Sequence, residues 1–396
     1  MRIGIIGAGV AGQAAAIALA RAGRDVAVFE RFETARPLGA GLLLQPSGLA
    51  ALARLDLRGE AERCGARVSA LDGRIVGGKR ILDLSYPPGE YGLGIHRGAL
   101  FQILHEAMRT SGARLHLAFE VASIEDFAHP CVVSRAGGRE GPFDLLLDCA
   151  GAHDRLRDGL NADVRAPLYP WGALWTTCPD RGGEFAGQLR QRYDRAQTMI
   201  GMLPVGNVPG DLGGVSHVAF FWSLKLKEFD AQRAAGLDAL KARVLAAWPK
   251  AEPIMRQISH FEDLSLATYR DVSMKRWRRG RVLAIGDAAH GTSPQLGQGA
   301  NLALIDAIVL AHCLDRAADI EAALARFEIV RRPHVDFYRL ASRALTPAFQ
   351  SDSRLVPWLR DRFLPCAKFV PGGRHLARTT LSGVRKLPWG LWRAPD

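Results

Sequence analysis

Apolar and polar positions fall into a readable order at the start of the chain. Residues 2–6 are a short, mostly apolar run that ends at Gly7, and residues 11–22 are small and apolar with polar breaks at Gln13 and Arg21. The first run predicts a buried strand; the second predicts a helix stopped by Gly23. Asp25-Val-Ala-Val-Phe-Glu30 predicts a second strand with an acid at its end. A similar pattern returns much later, where Arg281-Val-Leu-Ala-Ile-Gly-Asp287 predicts a buried strand ending in Gly-Asp and residues 299–306 open a helix with small residues. Between residues 167 and 269 the character changes. Trp171, Trp175, Tyr193 and Trp222 appear there, and the runs 198–204 and 215–222 predict strands of a sheet with an apolar face. No internal repeat or low-complexity linker interrupts these patterns.

The first strand, helix and strand enclose Gly7-Ala-Gly-Val10-Ala11-Gly12, a Gly-x-Gly-x-x-Gly turn. The three glycines do different things: one permits the tight turn, one lets the backbone approach a pyrophosphate, and one lets helix and strand pack closely. Phosphates then sit at the positive end of the helix. Glu30 lies 18 residues past Gly12, where an acid accepts hydrogen bonds from an adenosine ribose. The unit predicts dinucleotide binding but does not separate FAD from NAD.

With 396 residues, 48% of them hydrophobic, the chain can bury a full core and is expected to form two structural units. No apolar run approaches the roughly 20 residues of a membrane helix, and the apolar start lacks the layout of a signal peptide. A cytoplasmic protein without stable membrane insertion is expected. Cys64, Cys131, Cys149, Cys178, Cys313 and Cys366 are scattered, so neither a metal site nor a disulfide framework is expected. The net charge of +12 changes the picture only through its location. From residue 331 onward there are thirteen Lys/Arg against four Asp/Glu, which reads as a solvated helical tail, as attraction for a phosphorylated nicotinamide cofactor or as loose contact with an acidic membrane surface. No nucleic-acid motif accompanies the charge, and nucleic acid is not an expected partner.

Several segments together resemble the single-component FAD aromatic hydroxylases, the flavoprotein monooxygenases related to p-hydroxybenzoate and salicylate hydroxylases. They are Gly7, Gly9, Gly12, Glu30 and Arg31; Gly39-Ala-Gly41; Arg97 in Ile-His-Arg-Gly-Ala-Leu; and Gly286-Asp287-Ala-Ala-His290-Gly-Thr-Ser-Pro294-Gln-Leu-Gly297-Gln298-Gly299-Ala300-Asn301. They span roughly the first 310 residues, and the last stretch is the most specific. The resemblance implies non-covalent FAD, with Glu30 on the ribose, Asp287 on the ribitol chain, Arg97 bracing the cofactor, and Pro294 with the Leu296–Gly299 backbone beside the isoalloxazine ring. Val10, Ala11, Val121, Gln298, Ala300 and Asn301 complete the expected cofactor contacts. Taken singly, Asp287 reads as well as a helix cap and Arg97 as a surface ion pair. The implied chemistry is hydroxylation of a small, electron-rich aromatic substrate, with NAD(P)H as co-substrate, through a flavin C4a-hydroperoxide formed with O2. A flavin reductase or dehydrogenase and a flavin-dependent halogenase are the competing readings, although no Trp-x-Trp-x-Ile-Pro segment is present. The expected catalytic residues are Pro294, with Tyr193 and His217 as the titratable candidates for removing a phenolic proton. A homodimer stays open.

One departure stands out. The related hydroxylases carry an Asp-Gly pair, followed by Ser and Arg, after the fourth apolar strand; here Gly151 and Arg157 match, Ala150 replaces the aspartate and Asp154 the serine. That puts ordinary handling of the nicotinamide cofactor in doubt. The expected architecture is α/β: a discontinuous Rossmann-like FAD-binding domain (1–70, 95–165 and 270–321), an inserted β-rich substrate domain (71–94 and 166–269), and a helical C-terminal extension (322–396).

Overall fold

The computed structural model describes residues 1–34, 41–160, 163–211 and 214–395, the side chain of Lys368 excepted. Gly39 and Ala40 therefore lie outside the described residues.

The first apolar run forms the strand Arg2–Ile6, which continues through Gly7 into the helix Val10–Arg21 and back into the strand Asp25–Phe29. The two strands pair in parallel, Ile3 with Val26 and Ile5 with Val28, and Leu145–Asp148 pairs in parallel on the other side. With Val282–Ala284, Arg278–Arg279 and Arg114–His116 they make a six-stranded sheet whose order is 278–279, 282–284, 145–148, 2–6, 25–29, 114–116. Strands covered on both faces read as unbroken apolar runs, which is why Ile3, Ile5, Val28, Leu146 and Leu147 have no solvent exposure. Helix Val10–Arg21 packs on helix Gly299–Arg316. Ala14, Ala15 and Ala16 are fully buried, since small side chains let the backbones approach.

The aromatic region forms a second sheet of seven strands, ordered 265–267, 171–179, 217–225, 198–206, 188–194, 70–75, 80–85. Alternation of side chains splits it into two apolar layers. Leu174, Ile200, Met202, Phe220 and Trp222 join one cluster with Leu240, Val244 and Ile254 from the helices Phe229–Ala247 and Glu252–Met255. Leu203, Val205 and Ala219 join a second cluster with Leu43 and Tyr86. Strand Thr198–Gly206 is thus buried at every position, where the sequence pattern predicted a sheet with one apolar face.

The C-terminal extension is helical as expected, beginning at Ile320–Phe349, where Asp319 Oδ1 accepts from Ala322 N at 2.8 Å as N-cap. Helices Leu355–Phe363 and Gly373–Leu381 follow, then a hairpin, Arg385–Lys386 with Gly390–Leu391, that the composition did not signal. Among the described residues no helix is long and apolar enough to cross a membrane.

Candidate cofactor and active site

The three glycines of the first turn differ in their surroundings as their separate roles require. Gly7 has φ +94°, and a Cβ there would stand 2.8 Å from the Cys149 carbonyl oxygen. A Cβ on Gly12 would stand 1.9 Å from the Gly7 carbonyl oxygen, so helix and turn touch backbone to backbone. A Cβ on Gly9 would meet nothing within 4 Å. That open position lies at the start of helix Val10–Arg21, whose first amides lack intrahelical acceptors, and it is a cradle that any side chain would fill. Val10 is half-buried and Ala11 buried behind it. Glu30 accepts from Ala8 N at 2.9 Å and Phe32 N at 3.2 Å, tying the turn to the end of the second strand. Arg31 is exposed, its guanidinium 4.6 Å from the Phe32 ring centre.

The second half of the site is built by residues 286–301. Gly286, at φ +62°, turns the chain into the short helix Asp287–His290. Asp287 is exposed, and a Cβ on Gly299 would stand 3.5 Å from its Oδ1, so the carboxylate lies beside the N-terminus of helix Gly299–Arg316. Pro294–Leu296 forms a single turn, and Gly297 is left-handed at φ +60°. Gln298 is buried and donates to Leu381 O at 3.2 Å, while Ala300 is half-buried in the first helical turn. Asn301 is fully buried; its amide donates to Leu43 O (3.2 Å) and Gly297 O (3.0 Å), and its Oδ1 accepts from Gln45 N (2.8 Å). Its side chain clamps strand Gly41–Leu44 to the helix. Gly41 is pressed against the second sheet, where a Cβ would stand 2.6 Å from Val205. Arg97 is exposed at the start of helix Arg97–Thr110, behind His96, whose Nδ1 accepts from Gly98 N at 3.1 Å. Val121, half-buried, opens the strand Val121–Glu125 opposite Ser134.

Two buried carboxylates that the sequence did not single out as a pair flank this site. Asp306 Oδ2 is 2.6 Å from His290 Nε2 and accepts from Gly286 N at 2.9 Å, while Oδ1 accepts from Arg331 Nε at 2.7 Å. Arg331 also contacts His334, which hydrogen-bonds Gly383 O at 2.9 Å and stacks on Trp392 at 4.3 Å. Burial alone would raise the Asp306 pKa; His290 and Arg331 override it and hold the carboxyl well below the usual range. Asp148, at the end of strand Leu145–Asp148, accepts from Ala150 N at 3.1 Å, and its Oδ2 is buried without a partner among the described residues. Burial, with Asp154 adding to it, pushes its pKa up to about 7.

The structure does not bring the two titratable candidates together. Tyr193 pairs with Met199, which neighbours Ser223 across the next strand, whereas His217 sits six residues back on that strand, about 20 Å away along the ladder. Tyr193 is linked to the Pro294 segment: its ring lies 5.2 Å from Phe349, and the neighbouring Gln350 accepts a hydrogen bond from Gln295 at 2.6 Å. Its hydroxyl is buried, donates to Gln191 Oε1 at 2.7 Å, and has its pKa raised by burial, which disfavours proton removal through it. His217 Nε2 lies 3.1 Å from Asp211, and its Nδ1 is buried without a partner among the described residues. On the second sheet Trp175 lies tilted against Phe221, with ring centres 5.0 Å apart. The open surface groove between Ile329 and Trp389 is not lined by Tyr193, His217, Trp175 or Phe221.

Among curated relatives, aurachin C monooxygenase/isomerase of Stigmatella aurantiaca is 27% identical over 95% of this chain and 96% of its own length. Kynurenine 3-monooxygenase of Salinispora tropica is 30% identical over 85% of this chain and 77% of its own. Among solved structures, HpxO of Klebsiella pneumoniae complexed with FAD and uric acid superposes with a TM-score of 0.79 at 23% identity, over 96% of this chain and 97% of that one. The model of the FAD binding domain family matches residues 1–335. The chain, whose glycine-turn helix meets the Gly286–Asn301 segment where a Cβ on Gly286 would stand 2.8 Å from Ala11, belongs to the FAD-binding domain family of flavoproteins.

Proposed function

We propose that this protein is an FAD-dependent monooxygenase that consumes NAD(P)H and O2 and hydroxylates a small, electron-rich aromatic substrate. The observation that carries the reading is the pairing of the open Gly9 cradle with the exposed Asp287 carboxylate at a second helix N-terminus. Relatives named as monooxygenases supply the reaction class. When bound, FAD supplies the redox and oxygen-transfer chemistry. Glu30 would accept hydrogen bonds from the ribose, the amides opening helix Val10–Arg21 would hold the pyrophosphate, and Asp287 would accept from the ribitol hydroxyls. The amides after Pro294 would lie beside the ring of bound FAD and would favour negative charge on it. Trp175 and Phe221, on the sheet above, give the substrate an apolar aromatic wall and exclude water. Tyr193, enclosed by Phe349, serves as packing rather than as base, and His217 lies too far along the sheet to share a small substrate with it. All six cysteines are free thiols, which fits a reducing, cytoplasmic setting.

Two experiments test this reading. Asp287→Ala removes charge-assisted bonds worth about 1.5–3 kcal/mol each, so FAD affinity falls about tenfold or more. Unchanged affinity would place the cofactor elsewhere. Turnover in labelled dioxygen with a panel of phenols, pyridines and purines should put one labelled atom in the product. Unlabelled product from consumed substrate would reject the monooxygenase in favour of a reductase or dehydrogenase.

A further inference from the structure

Surface helices of soluble proteins turn their apolar stripe to the core. Helix Leu355–Phe363 does the reverse. Leu355, Trp358, Leu359, Arg362 and Phe363, at helical spacing i, i+3, i+4, i+7 and i+8, all face solvent, with Trp358 57% and Phe363 59% exposed. The inward face is held by Pro357 and by the buried Arg360, whose Nη1 donates to Ala348 O at 2.7 Å and whose guanidinium lies 5.1 Å from the Tyr193 ring centre. The exposed stripe continues through Val370 to Leu376 on the next helix. Of the sixteen large apolar side chains exposed among the described residues, nine fall after residue 354. Single exposed apolar residues need no explanation; a concentration with this spacing does.

The charge on this segment selects its occupant. Residues 354–378 carry six Lys/Arg against one Asp, and Arg354, Arg362 and Arg374 are exposed among the apolar residues. We propose that this face docks the enzyme peripherally onto a bilayer surface with anionic headgroups, with Trp358, Leu359 and Phe363 lying in the headgroup–acyl boundary and the arginines on the lipid phosphates. A second copy of the chain suits the face poorly, because a two-fold contact sets the patch against itself and confronts like charges. No spanning segment is needed, in keeping with the absence of a membrane-crossing helix among the described residues. The docking is independent of the chemistry proposed above. Its consequence for that chemistry is positional: Lys79, which precedes the edge strand Arg80–Ser85, donates to Asp361 O at 2.8 Å, so the docked face adjoins the substrate sheet.

Flotation of the FAD-loaded full chain with phosphatidylcholine vesicles, with and without phosphatidylglycerol, tests this directly. Binding is expected only to the anionic vesicles, weakening as salt rises, and Trp358→Glu/Phe363→Glu should reduce it at least about tenfold. Both positions are exposed, so the double variant should keep its melting temperature and bound flavin, which are measured alongside. Absence of wild-type binding, or equal binding by the double variant, overturns the proposal. Light scattering that shows a dimer lost in the double variant, without vesicle binding, assigns the face to a second copy and overturns it as well.

Discussion

Asp148 and Asp306 are both fully buried, and they flank the same two residues: Ile285 N donates to the Asp148 carbonyl, Gly286 N to the Asp306 side chain. Their environments nevertheless drive them in opposite directions. Asp306 has an amide, an imidazole and a guanidinium converging on its two oxygens, so its ionised form is fully satisfied. Asp148 has one amide. Arg157 lies near it, but its Nη atoms are committed to the carbonyls of Gly151, Ala288 and Ala152. Burial therefore wins at Asp148 and loses at Asp306. Depth alone says nothing about charge; the number of donors aimed at each oxygen decides it.

The strongest way to break this contrast is to remove the cation from the satisfied side. Arg331→Met keeps the bulk but leaves Asp306, which is fully buried, with only His290 and the Gly286 amide. Breaking a buried pair by removing one partner costs about 3–5 kcal/mol. Chemical denaturation should show that loss, and a fall below about 1 kcal/mol would mean that Arg331 is not the balancing charge. Because Arg331 lies in helix Ile320–Phe349 and Asp306 in helix Gly299–Arg316, the same measurement reports how tightly the C-terminal extension is fastened to the cofactor layer.

The two carboxylates should also separate by pH. At Asp148 the folded state keeps a proton up to about 7, while the unfolded chain releases it near the ordinary aspartate value. The folded protein then holds more protons between those limits. The contribution of Asp148 is complete below about pH 4 and is lost as pH rises, by up to about 1.4 kcal/mol per unit crossed. Asp306 has the opposite sign: its folded pKa is depressed, so its contribution is present above the ordinary carboxylate range and is lost as pH falls below it. Asp148→Asn should flatten the stability profile between about pH 4 and 7 and leave the acid limb, set in part by Asp306, in place. Identical profiles for the variant and the wild type would show that Asp148 is ionised in the fold.

What the sequence made legible follows the same division. The glycine turn, Glu30, the parallel strands and the Gly286–Asn301 segment are local patterns, in which spacing alone fixes a turn, a strand end or a helix start. Asp306, Arg331 and His334 were hidden because their meaning lies in contacts across 25 and 49 residues and in a hairpin, residues 385–391, that places Gly383 and Trp392 over His334. His290, inside the matched segment, and the acid at 306 were the available signals, but nothing in their spacing names Arg331 as the partner. Tyr193 and His217 were chosen by residue type alone. Only strand register shows that they are about 20 Å apart. The exposed stripe of helix Leu355–Phe363 was unreadable for a related reason: its period was present, but which side faced outward depended on Arg360 being held inside.

A last variant sharpens the contrast from the weaker side, with the smallest effect. Ala150 is half-buried, donates its amide to Asp148, and lies so close to the dinucleotide turn that a Cβ on Gly7 would stand 3.0 Å from its Cα. Ala150→Asp sets a third carboxylate beside Asp148 and Asp154. A like charge at that distance disfavours ionisation further, so the Asp148 titration should move upward by up to about one pH unit. Removing Asp148 in the same background, as Ala150→Asp/Asp148→Asn, should abolish that part of the profile. The substitution also restores an aspartate where the related hydroxylases carry one. If residue 150 takes part in handling the reductant, KM for NAD(P)H should fall below pH 7, where Asp148 still carries its proton and adds no repulsion, and the gain should shrink as pH rises and Asp148 ionises. A KM that does not change at any pH, with the shifted stability profile present, would assign Ala150 to the electrostatics of Asp148 alone and leave the reductant to bind through other groups.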